Sequence, residues 1–239
     1  MRDSSDKTPI WKAIASALRS DLAEGRYTPG DKLPTEAALA NRFGVNRHTV
    51  RHGISVLVEE GLVRTRRGAG AFVAATPTDY PIGQRVRFHE NLNAAGRRPE
   101  KRMLALDERA ATIGEAQALQ IEAGDPVCAY HGLSLADGQP IAVFESLFPL
   151  ARLGGITAAL KETSSVTQAL SVVGIDDYTR ASTRLTAVRA TATHALLLHV
   201  AEGDPLLRSS SLNHSEDGLP IEYGRTWFAG DRVTLTLEA

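Results

Sequence analysis

The sequence predicts an α+β protein in two parts: three helices with a β-hairpin, then a larger antiparallel α+β segment containing an internal duplication. Three observations carry this. Apolar residues recur at helical spacing three times before residue 60, and two short strands around a glycine tip follow. Next, Thr76-Pro77-Thr78-Asp79-Tyr80-Pro81 has the composition of a linker. Beyond it, Leu119-Gln120-Ile121-Glu122-Ala123-Gly124-Asp125-Pro126-Val127 returns as Leu198-His199-Val200-Ala201-Glu202-Gly203-Asp204-Pro205-Leu206. The expected division is residues 1–75, a linker at 76–82, and residues 83–239.

In the first part, Ile10, Ile14, Ala17, Leu18 and Leu22 define a helix that Gly25 and Pro29-Gly30 bring to an end. Thr35 is placed to cap a short second helix through Ala38, Leu39 and Phe43, and Gly44 permits a tight turn before a new cap at Asn46. The third helix sets Val50, Ile54, Leu57 and Val58 on one face. That leaves His48, Arg51, His52 and Ser55 outside, with Arg47 and Thr49 at its N-terminal end. Leu62 to Arg67 and Ala71 to Val73 then read as strands about Gly68-Ala69-Gly70. A hairpin behind an outward-facing third helix is a winged helix-turn-helix.

Composition narrows the chemistry. With 239 residues, 43% of them hydrophobic and 23% charged, the chain is an ordinary soluble globular one, and disorder, collagen and coiled coil are excluded. The longest apolar stretch, Ala195 to Ala201, is broken by His199, so no membrane span is expected. The polar start, Met1 to Lys7, holds no signal-peptide core, and a cytoplasmic protein without a membrane partner is expected. The single cysteine, Cys128, has apolar neighbours and reads as a buried structural thiol. The histidines are scattered, so neither a metal site nor a cofactor is expected.

The net charge of −1 hides an asymmetry. Residues 1–76 carry 12 basic and 8 acidic side chains, the remainder 15 and 20. Six arginines lie between Arg42 and Arg67. Such a basic reading head suits a phosphate backbone. In this setting Arg47 and Arg51 are the expected base readers, with Asn46, His48, Thr49 and His52 beside them on the third helix. Thr35 and the helix start suit phosphate; Arg42, Arg66, Arg67 and the Gly68 tip are expected to add salt-dependent affinity. Double-stranded DNA is therefore the expected partner, read as a palindrome by a homodimer.

The repeat continues as Asp137-Gly138-Gln139-Pro140-Ile141 against Asp217-Gly218-Leu219-Pro220-Ile221. Each copy reads as a helix, a Gly-Asp-Pro turn and two strands joined at an Asp-Gly turn, preceded by a helix closed by Gly96 or Gly174 and a further strand. If Phe88 and Val166 begin equivalent helices, their starts converge near a pseudo-axis and attract a small anion. Arg87, Phe88 and His89 lie at one start, Ser164, Ser165 and Thr167 at the other. Capping alone accounts equally well for Ser164 or Ser165, and solvation for Arg87.

Four ordered motifs now support a resemblance. Lys32-Leu33-Pro34-Thr35-Glu36, Phe43-Gly44-Val45-Asn46-Arg47-His48-Thr49-Val50-Arg51, Glu60-Gly61-Leu62-Val63 and Gly68-Ala69-Gly70-Ala71-Phe72-Val73 resemble the DNA-binding domain of GntR-family transcription regulators. Ala69 stands where such wings often carry a polar residue. Residues from about 80 onwards resemble the UTRA effector domain of the HutC subgroup, whose fold is similar to that of chorismate lyase. Asp217-Gly218-Leu219-Pro220-Ile221-Glu222-Tyr223-Gly224-Arg225 and Gly230-Asp231-Arg232 carry most of that likeness. Arg87 to Leu92, Gly96 to Pro99 and Ser211 to His214 resemble the phosphonate-metabolism repressors of the subgroup.

The resemblance implies a ligand-responsive repressor. It implies an effector between the two halves, its phosphate-like group near His89 and Ser165, with Glu222 taking hydroxyls or amines and Phe228 where relatives often have tyrosine. Gly132 and Ser134 stand where relatives that sense sugar phosphates commonly have arginines, so a phosphonate or phosphate-like effector is favoured, with Arg87, Arg184 or Arg225 supplying charge. Regulation of an unrelated catabolic operon by a sugar phosphate or carboxylate is the alternative. An enzyme built on His89, His131, Glu145 and Glu222 is a further one, but the sequence has no Gly-x-Ser-x-Gly, His-Glu-x-x-His or phosphate-loop motif.

Overall fold

The computed structural model describes residues 9–66, 68, 70–74, 77–83, 85 and 87–237, with the backbone alone at Arg66. The chain falls into two compact units, Met1–Thr76 and Pro77–Ala239.

The first unit contains α1 (Ile10–Ala23), α2 (Glu36–Phe43), α3 (Arg47–Glu59), β1 (Val63–Arg66) and β2 (Gly70–Val73). Ile14, Ala15 and Leu18 of α1 meet Leu33, Leu39 and the α3 residues Val50, Ile54 and Leu57 in one core. Gly53 sets the closeness of α1 to α3: a Cβ there would lie 3.0 Å from Ile14 Cγ2 and 3.2 Å from the Trp11 carbonyl oxygen. At the turn, Gly44 closes α2 with φ 65°, and the Asn46 side chain accepts the Thr49 N–H at 2.8 Å to open α3. β1 and β2 pair antiparallel. The winged helix-turn-helix is present; its first helix ends at Ala23, ahead of Gly25.

The second unit contains β3 (Thr78–Pro81), α4 (Phe88–Ala94), β4 (Pro99–Ala110), α5 (Ile113–Leu119), β5 (Pro126–Ala136), β6 (Gln139–Pro149), α6 (Ile156–Thr163), α7 (Val166–Val172), β7 (Tyr178–Arg189), α8 (Ala192–Leu198), β8 (Pro205–Ser215), β9 (Pro220–Ala229) and β10 (Val233–Thr236). Six strands form one antiparallel sheet in the order β4-β5-β6-β9-β8-β7. This order is the duplication itself, two three-stranded copies joined back to back along β6 and β9. Glu145 and Arg225 are equivalent in the two copies and sit directly opposite one another, marking the pseudo-twofold axis.

The copies cover each other. α5 packs on β9 and α8 on β6, so the helix of one copy seals a strand of the other, and neither copy can close its core alone. On the opposite sheet face, α6 and α7 lie over Cys128, Tyr130 and Phe148. There, Leu92 of α4, Tyr80 of β3 and Val233 of β10 surround Ile141 and Phe228. Among the described residues no helix is long and apolar enough to cross a membrane.

Two elements depart from expectation. Residues 78–81, read as linker, form β3, which pairs in parallel with β10. Thr78 and Tyr80 alternate inwards as a strand demands, and both are buried. The second departure is α6, which has no counterpart in the first copy.

Candidate nucleic-acid interface and effector cleft

In the first unit, α3 leaves Arg47, His48, Arg51 and His52 exposed along its outer face. Arg51 is held rather than free. Its Nε and one terminal nitrogen donate to the two Glu36 carboxylate oxygens at 2.9 and 2.7 Å, across the turn from α2. The guanidinium holds the Glu36 carboxyl below the usual carboxylate range. His52 is held too, stacked on Trp11 of α1 with ring centroids 4.4 Å apart and planes 15° from parallel. Asn46 and Thr49 are tied to one another through the α3 cap, and Thr35 Oγ1 accepts the Ala38 N–H at 3.2 Å to cap α2. Arg42, expected to meet phosphate, donates instead to the buried Asp21 carboxylate at 2.5 Å. Gly68 lies at the hairpin tip with φ 74°. Arg67 and the side chain of Arg66 lie outside the described residues.

The second unit holds a cleft of about 350 Å³ between the sheet and α4, α6 and α7. That is the lower end of the range for small-molecule sites. Its floor is a ladder of cross-strand neighbours. Arg180 Nε on β7 donates to Asn213 Oδ1 on β8 at 2.7 Å, and Asn213 Nδ2 donates to Glu222 Oε2 on β9 at 2.6 Å. Ser146 Oγ on β6 donates to Glu222 Oε1 at 2.6 Å. Across the floor, Lys101 on β4 faces Ser134 on β5 and lies between the Phe88 and Phe144 rings, its Nζ 5.3 and 4.7 Å from their centroids. Burial pushes the Lys101 ammonium down to about 8, an effect the Glu222 charge partly offsets. Burial and the Lys101 charge likewise push the His89 imidazole towards its neutral form. At the rim, Arg87 lies over the Tyr178 ring at 3.8 Å and pairs with Asp177 at 3.1 Å, while Ser165 caps α7 through the Gln168 N–H.

Comparison with known proteins places both units. The model for bacterial regulatory proteins of the gntR family matches residues 11–73, and that for the UTRA domain matches residues 94–234. The chain belongs to the GntR family, in its HutC subgroup.

Relatives match along nearly the whole length. The HTH-type transcriptional regulator RB1450 of Rhizobium meliloti (strain 1021) is 36% identical over 96% of this chain and 94% of its own. The "Probable transcriptional regulator PhnF" of Escherichia coli (strain K12) is 33% identical over 95% and 94%. The crystal structure of PhnF from Mycobacterium smegmatis superposes with a TM-score of 0.64 at 26% identity, covering 95% of this chain and 98% of that one. These relatives are transcriptional regulators. In this GntR regulator α3 thus belongs to the DNA-binding domain, and the cleft to the UTRA domain.

The UTRA cleft gathers Arg87, Phe88, His89, Ser165, Thr167 and Glu222, as the sequence led one to expect, and Phe228 with them. It does not gather Ser164, Arg184 or Arg225. Ser164 closes α6 in a left-handed conformation, and its carbonyl accepts the Tyr130 hydroxyl. Arg225 stands three residues from Glu222 along a strand, hence on the other sheet face, where it pairs with Glu145 at 2.5 Å and Glu115 at 3.1 Å. Arg184 is turned to that face as well, because a β-bulge between Arg180 and Ser182 reverses the alternation of β7. The cations inside are Lys101 and Arg180, which sequence reasoning missed. A signal existed: they stand 79 residues apart, the offset of the Gly-Asp-Pro repeat.

Proposed function

We propose that this regulator is a repressor that reads a palindromic operator as a homodimer and responds to a small anion, phosphonate or phosphate-like, bound in the UTRA cleft. One observation carries the effector class: Lys101 and Arg180 line the cleft, and neither has a carboxylate within ion-pair distance among the described residues. A cation left without a counter-ion in a partly desolvated cleft is costly until an anion reaches it. Gly132 lies beneath Phe144, where a sugar-phosphate sensor would need an arginine. On this reading the effector draws the cleft together, and β3 transmits the change. Tyr80 lines the cleft, and β3 is the segment that continues from the DNA-binding unit.

Coupling of this kind is reciprocal, so DNA weakens effector binding by the factor by which effector weakens DNA binding. Fluorescence anisotropy on DNA from upstream of the gene, across salt concentrations and with or without phosphate and simple alkylphosphonates, tests the proposal. Tight binding that falls steeply with salt and shifts with one anion is expected. Equal effector affinity for free and DNA-bound protein would refute the coupling.

A further inference from the structure

The duplication assigns charges to the cleft in a lopsided way. Lys101, Ser134 and Ala142 are successive cross-strand neighbours on β4, β5 and β6. Their equivalents in the second copy are Arg180, Asn213 and Glu222, successive neighbours on β7, β8 and β9. Both copies thus supply a cation at the same position, on the two sides of the floor. Only the second copy supplies a carboxylate, where the first has alanine.

None of these charges is neutralised within the protein. Asn213 stands between Arg180 and Glu222, accepting from one and donating to the other, and so keeps them from pairing directly. Glu222 is buried, and each of its oxygens accepts a single neutral donor, Ser146 or Asn213. Lys101 has only aromatic faces about its ammonium. The remaining cleft arginine, Arg87, is already matched by Asp177. The floor therefore holds two cations and one anion that await partners, and a buried carboxylate is better matched by an ammonium than by a hydroxyl.

We infer that the effector is a zwitterion: a dianionic head that lies between Lys101 and Arg180, joined to one ammonium that pairs with Glu222. This rests on the reading of the cleft as the effector site. Both aminoalkyl phosphonates and phosphate esters of amino alcohols have this chemistry.

Isothermal titration of the full chain tests it, using 2-aminoethylphosphonate, phosphoethanolamine, 2-hydroxyethylphosphonate, propylphosphonate and inorganic phosphate. The two amines are expected to bind at least about tenfold more tightly than the hydroxyl and alkyl probes, the lower bound for a charge-assisted hydrogen bond. Their relative affinities distinguish the carbon-linked from the ester-linked head. Glu222→Gln is expected to abolish the preference for the amine, and Lys101→Met to weaken every probe. If the hydroxyl or alkyl probes bind as tightly as the amines, the zwitterion is overturned while the anion-binding cleft stands. If no probe binds, both fall. The wild-type series decides the matter even where a variant folds poorly.

Discussion

Gly132 on β5 lies beneath the Phe144 ring, and a methyl group there has nowhere to go. A Cβ would stand 2.3 Å from Phe144 Cζ, 2.6 Å from Cε1 and 3.1 Å from the Arg102 carbonyl oxygen. To restore van der Waals contact the ring must withdraw by about 1 Å or more. It is not free to do so: it is 5% exposed, meets Tyr130 edge-on at 5.1 Å, and carries the Lys101 ammonium on its face. Overpacking of this kind costs about 1–3 kcal/mol. In a unit of this size each kcal/mol lowers Tm by roughly 2–4 °C. The protein has two tryptophans, Trp11 in the first unit and Trp227 in the second. In a Trp11→Phe background, Trp227 fluorescence therefore follows the second unit alone. Gly132→Ala is expected to lower its Tm, and Phe144→Leu to rescue much of the loss by vacating the space. Effector affinity should fall with Gly132→Ala, since the ring that supports Lys101 is displaced. An unchanged Tm, or a coupling below about 0.5 kcal/mol in the double-mutant cycle, would refute the steric reasoning.

Effector affinity is expected to fall as pH rises through about 8, where the free Lys101 ammonium loses its proton. Calorimetry from pH 7 to 9 checks this, with Lys101→Arg flattening the Lys101 contribution beyond any titration of the ligand. Arg51→Ala should cost about ten- to a hundredfold at the base pair it reads and relax preference there, as a scan of mutated operators would register. Arg42→Ala should instead lower stability by about 1–3 kcal/mol and leave sequence preference intact, because it deprives the buried Asp21 of a partner. Urea unfolding beside the same operator scan separates the two arginines. Ser165→Ala should weaken effector response and cost about 1 kcal/mol through the lost cap, with operator affinity unchanged in the absence of effector.

What could be read from the sequence was local. Thr35, Gly44 and Asn46 announce helix ends by rules that act over three or four residues, so the helix-turn-helix was legible. The duplication was legible because its Gly-Asp-Pro turns are strict. β3 and β10 were not, since four residues each, far apart in the chain, carry no period of their own. Cleft membership depended on strand parity. The odd spacing of Glu222 and Arg225 already forbade their sharing a face, whereas the bulge that removes Arg184 left no mark in the sequence. Lys101 escaped notice because β4 is an edge strand with little apolar alternation to reveal its inner face.

The parallel pairing of β3 with β10 has a consequence for synthesis. β3 leaves the ribosome first among the strands of the UTRA unit and β10 last, so Thr78 cannot find Val233 until the whole sheet between them has been made. A contact of such sequence separation forms late, after its loop-closure entropy has been met. Tyr80, part of the cleft wall, sits on that strand. A nascent chain can thus assemble its reading head well before its sensing half is whole, and newly made regulator passes through an interval in which it cannot yet register its effector.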